Sequence, residues 1–172
     1  MGSGNLPEVW LRGPLPGVVP PLMPAAHALL QAREELTRAA AGATMEELWR
    51  RPGSAAPAGY HLQHLAGSLD RLLTYARGES LGEEQRRALL QEGTPGASAA
   101  ALLSAAHAGI DRALDQIRGT SAETLLEPRE VGRARLPSTV LGLLFHAAEH
   151  TTRHSGQVIT TLKALRQDEE DA

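Results

Sequence analysis

The residues best equipped for chemistry lie in one stretch, His146-Ala-Ala-Glu-His150-Thr-Thr-Arg-His154-Ser-Gly-Gln157. Three histidines recur there at four-residue spacing. On an α-helix, residues i and i+4 are neighbours, with Cβ atoms about 6 Å apart. Two imidazoles so placed can reach one metal ion, with nitrogen–zinc bonds of roughly 2.0–2.1 Å. A third ligand has to come from elsewhere, and the donor at hand is His61-Leu-Gln-His64-Leu-Ala. Three protein ligands would leave positions open for water or substrate, and water on such an ion ionises near neutral pH. Neutral imidazoles suit zinc or nickel first, with iron or manganese as alternatives. Carboxylates or carbonyls should orient the free ring nitrogens. Glu149 and Asp70 are the candidates, although either is at home on a solvated surface.

Composition removes several alternatives. The chain has no cysteine, so disulfides, thiolate ligands and a cysteine nucleophile are excluded. Its formal net charge is -3, and aromatic residues make up 3%. There is thus no basic stripe or stacking platform for nucleic acid and no electrostatic pull toward an anionic membrane. No apolar run approaches the ~20 residues of a membrane span, and no signal peptide is visible, so a cytoplasmic protein is expected. Sixteen arginines accompany a single lysine, Lys163, which reads as compositional bias. Neither Ser68 nor Ser155 stands in a G-x-S-x-G context.

The elements that must position the histidines read as helices. Leucine and alanine dominate the apolar residues and valine and isoleucine are sparse, so helix is favoured over sheet. Residues 1–20, rich in Pro and Gly, form an N-terminal segment expected to pack on the body through Trp10, Leu11, Val18 and Val19. Residues 21–166 form the helical domain, and 167–172 an acidic tail. A first helix runs from about Leu22–Ala25 to Ala41, and Thr44 with Glu47 has capping-box spacing for a short turn. A second long helix spans Ala58 to Gly78. Leu62, Leu65, Leu69, Leu72 and Leu73 form its stripe, and His61, His64 and Ser68 lie on one flank. Ser80 and Glu83 suggest another capping box before a helix of about ten residues. A third long helix covers Ser98 to Arg118. Residues 127–137 read as an irregular charged loop crossing the bundle.

The fourth long helix starts near Pro137–Ser138 and ends near Leu165. His150 and His154 fall at the edge of its apolar stripe, with Gln157 beside them, and His146 is rotated toward solvent. Four long helices with mostly short connections make an all-α four-helix bundle the economical architecture, with short extra helices in the connections. His27 and His107 read as surface or partly buried histidines.

His150-Thr-Thr-Arg-His154-Ser-Gly-Gln157 resembles the C-terminal H-x3-H-x-G-Q signature of the DinB/YfiT-like superfamily. Gly59-Tyr-His-Leu-Gln-His64-Leu-Ala-Gly-Ser-Leu-Asp resembles that family's second-helix motif, and helix order and spacing agree over residues 20–166. The resemblance implies a four-helix bundle holding a divalent metal ion on His64, His150 and His154. His61 and His146 are the alternative ligands, and Gln157 and Glu149 would stand around them. Ser155 occupies a position where many members carry arginine. The function implied is a metal-dependent enzyme in which the ion activates a low-molecular-weight thiol or water for transfer or hydrolysis on a small molecule. Neither nucleic acid nor membrane is an expected partner, and the resemblance implies a homodimer sharing a helix face that the residues do not identify. The alternative is a non-catalytic metal or small-ligand binding module of stress response.

Overall fold

The computed structural model describes the backbone of residues 6–170 and the side chains of residues 6–167. Residues 1–5 of the N-terminal segment and the last two of the acidic tail lie outside the described residues. The helices are α1 (Met23–Ala39), α2 (Met45–Trp49), α3 (Ala58–Ala76), α4 (Glu83–Gln91), α5 (Ala99–Arg118) and α6 (Val140–Glu170). Between α5 and α6 come strands β1 (Pro128–Val131) and β2 (Leu136–Thr139). α6 packs on α3 and α1, and α5 closes the bundle against the same two helices. The architecture is all-α, as expected, with a single small hairpin attached. No helix among the described residues is long and apolar enough to cross a membrane.

Local chemistry explains most boundaries. The Thr44 hydroxyl accepts from the Glu47 amide (3.1 Å) while the Glu47 carboxylate accepts from the Thr44 amide (2.6 Å), a full capping box for α2. Ser98 caps α5 through the Ala101 amide at 3.3 Å. Gly78 ends α3 at φ +79°, a conformation that favours glycine. The core is aliphatic: Leu29, Leu36, Leu62, Leu65, Leu69, Ile110, Leu144, Val158 and Leu162 are buried. Trp49 compensates for the scarcity of aromatics by laying its ring against the backbone of Gly59, where an added Cβ would stand 2.9 Å from two ring carbons.

Five expectations need correction. The stretch read as an irregular loop is an antiparallel hairpin, pairing Pro128 with Thr139 and Glu130 with Pro137. Two prolines, a central glycine and alternating charge hide so short a strand pair, which is marginal alone and is held here by α6. For the same reason α6 begins at Val140, after the strand. Its first three amides find acceptors in Glu127 O (3.2 Å), Leu125 O (2.9 Å) and Thr139 Oγ1 (3.0 Å).

α6 also continues past Leu165 to Glu170. No glycine or proline stops it, and Arg166 is pinned by Glu47 (2.7 Å) and the Ala39 carbonyl (3.3 Å). At α4, Ser80 is not the cap. Gln85 Oε1 accepts from the Gly82 amide at 2.9 Å, one half of a box whose other half glycine cannot supply. Finally, Trp10 and Leu11 are 61% and 56% exposed. The N-terminal segment meets α1 through buried Val9, whose amide donates to Gln31 (2.9 Å), and through Arg12 on Glu34.

Candidate metal centre

α3 and α6 form the most extensive helix pair, and their shared face carries the histidines. His64, His150 and His154 each offer a ring nitrogen, and these three nitrogens lie within 4.8 Å of one another. Ring centroids are 4.6 Å apart for His64 and His154, 5.0 Å for His64 and His150, and 4.5 Å for His150 and His154. Helical periodicity accounts for the α6 pair. The third ring comes from α3, where Leu62, Leu65 and Leu69 are buried and turn the flank bearing His64 toward α6.

Each of the three rings is held at Nδ1. His64 Nδ1 lies 2.6 Å from Glu92 Oε2. His150 Nδ1 lies 3.2 Å from Ser68 Oγ, whose hydroxyl donates to the Leu65 carbonyl at 3.0 Å and so accepts from the ring. His154 Nδ1 lies 3.0 Å from His61 Nδ1. A proton on each of the three Nδ1 atoms satisfies all these partners at once. That assignment leaves the Nε2 lone pairs as donors to a shared cation. His61 is therefore the partner of His154, and His64 is the α3 histidine in the three-nitrogen group.

Electrostatics favour the neutral form at His150, His154 and His61. Burial, reinforced by neighbouring histidines and Arg153, pushes His150 down to about 4 and His154 down to about 3. Burial, then the nearby His64, also lowers His61. At Glu92 burial pulls upward, but hydrogen bonds from His64 and Arg71 outweigh it and hold the carboxyl below its usual range. Metal ligands must be deprotonated, so this environment fits a divalent cation.

The remaining candidates stand elsewhere. His146 is half-exposed and pairs with Glu149 at 3.2 Å. Glu149 also meets Arg153. Its carboxylate thus engages none of the three grouped rings in the contacts described. Asp70 accepts from Gln85 Nε2 at 2.6 Å, and Gln157 is exposed. His27 ties α1 to the Gly13 carbonyl (3.0 Å), and His107 bridges to Thr37 (3.1 Å).

Sequence reasoning missed Glu92, 28 residues beyond His64. One faint signal pointed to it. Gly67, one turn after His64, is a glycine inside a helix, which costs about 0.5–1 kcal/mol against alanine and often marks a close approach. A Cβ there would lie 2.4 Å from Glu92 Oε1.

The family model of the DinB superfamily matches residues 28–158, well over half of the chain and the span holding all three histidines. No curated protein matches it.

Proposed function

This chain belongs to the DinB superfamily, and we propose that it is a metal-dependent enzyme, with a divalent ion held by His64, His150 and His154. An ion held there would supply Lewis acidity to a thiol or water that attacks a small electrophilic substrate. The observation that carries this reading is the grouping of the three rings, each engaged at Nδ1 and each offering a ring nitrogen within 4.8 Å of the other two. A divalent ion bound there supplies Lewis acidity, which lets a thiol or water ionise near neutral pH.

The protein's own residues do the rest. Ser68, Glu92 and His61 fix three tautomers and ring orientations, so little reorganisation accompanies binding. His64 and His150 are only partly buried, which leaves an approach from solvent. His146 and Arg153 flank that approach on α6 and can meet the polar part of a substrate. With no cysteine in the chain, a thiol must arrive as a separate small molecule, whereas water needs no supplier. The donor set of three neutral imidazoles suits zinc or nickel, and iron or manganese remain within its range.

The test is elemental analysis of protein purified without an affinity metal or chelator, followed by titration of metal-free protein with zinc and nickel. About one equivalent in the wild type and none in His154→Ala supports the reading; thiol-transfer and hydrolase assays of the loaded protein then separate an enzyme from a binding module. No metal under any of these conditions overturns it.

A further inference from the structure

α4 is held in an unusual way. It buries no residue, and Leu89 and Leu90 are 43% and 81% exposed. Hydrophobic burial therefore does little to dock it. Polar contacts to α3 take its place: Gln85 Nε2 donates to Asp70 (2.6 Å) and Thr74 (2.8 Å), and the Gly93 amide donates to Gln63 Oε1 (2.8 Å). Between these contacts, Glu92 turns inward, with its side chain only 9% exposed.

A carboxylate loses hydration when it is buried and must be paired. Arg71, 2.6 Å from Oε1, is enough to balance the charge. The other oxygen reaches His64 instead of solvent, at 2.6 Å. α3 is cleared for this approach at Gly67, where any Cβ would strike Glu92 Oε1 (2.4 Å) and Arg71 Nη1 (2.9 Å). Tyr60 stacks on the His64 ring, centroids 5.5 Å apart and planes 11° from parallel. The ring is fixed by face and by edge.

We propose that Glu92 is a positioning residue of the metal centre that acts through His64. It holds a proton on His64 Nδ1 so that Nε2 faces the ion, and it makes the docking of α4 and the affinity for metal mutually dependent. The proposal rests on the metal reading above. An acid on a metal-ligating histidine orients the ring and raises its basicity, and losing such a partner costs about 10–100-fold in affinity. Coupling of this kind is reciprocal, so an ion at the histidines should hold α4 more firmly on α3.

The experiment compares Glu92→Gln with Gln85→Ala, which loosens α4 without touching His64. Zinc affinity is measured by competition with a chromophoric chelator, and amide exchange across residues 83–92 is followed with and without zinc. Glu92→Gln should lose about 10–100-fold in affinity, whereas Gln85→Ala, which weakens α4 docking but keeps the His64–Glu92 contact, should lose less. Zinc should slow exchange across α4 in the wild type and not in Glu92→Gln. If Glu92→Gln does not fold, Gly67→Ala displaces the same carboxylate, and its zinc affinity decides. Unchanged affinity in the folded variant, or an equal loss in Gln85→Ala, overturns the positioning role alone. A wild type that binds no zinc overturns the metal reading and this role with it.

Discussion

Nδ1 of His61 and Nδ1 of His154 stand 3.0 Å apart in the buried seam between α3 and α6. Two nitrogens at that distance share one proton; one ring donates and the other accepts. A second proton would set two N–H groups against each other. The contact therefore tolerates neutral rings and resists imidazolium.

A pH dependence follows for the metal-free protein. Histidine in the unfolded chain titrates near pH ~6.5. In the fold His150 and His154 are lowered to about 4 and about 3. Because the unfolded state binds more protons between these values, acid favours unfolding. The stabilisation is complete above the unfolded value and is lost as pH falls through the folded values. Urea midpoints measured in chelator should start to drop below about pH 6.5, and more steeply in the wild type than in His150→Gln. Identical slopes in the two proteins would count against neutral, desolvated rings.

Zinc should stabilise the fold by mass action. At free zinc 100-fold above its dissociation constant the gain is about 2.7 kcal/mol. For a chain of this size that is about 5–11 °C in melting temperature. Excess chelator should return the melt to its metal-free position. A melting temperature indifferent to zinc and chelator would leave the histidines without a structural ion.

His150→Ala and His154→Ala should each cost more metal affinity than the ~10–100-fold that outer partners contribute. His146→Ala should cost little, because that ring is half-exposed and turned to Glu149. Parallel zinc titrations of the three variants decide. If His146→Ala binds as poorly as His150→Ala, then His146 is a ligand and the assignment on α6 shifts by one turn.

Gly59→Ala tests the packing beneath the site. In an ordinary helix this change gains about 0.5–1 kcal/mol. Here the new methyl would stand 2.9 Å from the rigid Trp49 ring, which has no flexible end to swing aside. A net loss of about 1–3 kcal/mol is expected, the usual cost of overpacking. Urea unfolding followed by tryptophan emission measures it; a stabilised variant would show that Trp49 moves freely.

The bundle was legible because its signals are local. Gly78, Thr44 and Ser98 mark helix ends by conformation or capping, and leucine spacing marks the buried faces. His150 and His154 follow from helical periodicity alone. What escaped depends on contacts distant in sequence. Glu92 directly follows a helix with no buried stripe, so no periodicity draws attention to it. Ser68 and His61 gain their roles only when α6 arrives. The hairpin over 128–139 pairs across a turn at Gly132 and is secured by α6, so its composition alone reads as loop. Past Leu165 the chain carries no stop signal, and only Arg166 reaching Glu47 shows why α6 goes on.

The salt link between Glu92 and Arg71 has an electroneutrality consequence. Glu92 is the one carboxylate touching a grouped ring in these contacts, and its charge is already matched by the guanidinium. Ser68, His61 and the three ligand rings add none. The groups that hold the three rings thus bring no unbalanced carboxylate, and a divalent cation seated there would keep most of its positive charge. Attraction in such a poorly hydrated seam selects for an anion as the remaining partner. By charge balance, a metal ion held on His64, His150 and His154 would favour an anionic partner, thiolate or hydroxide, over its neutral form.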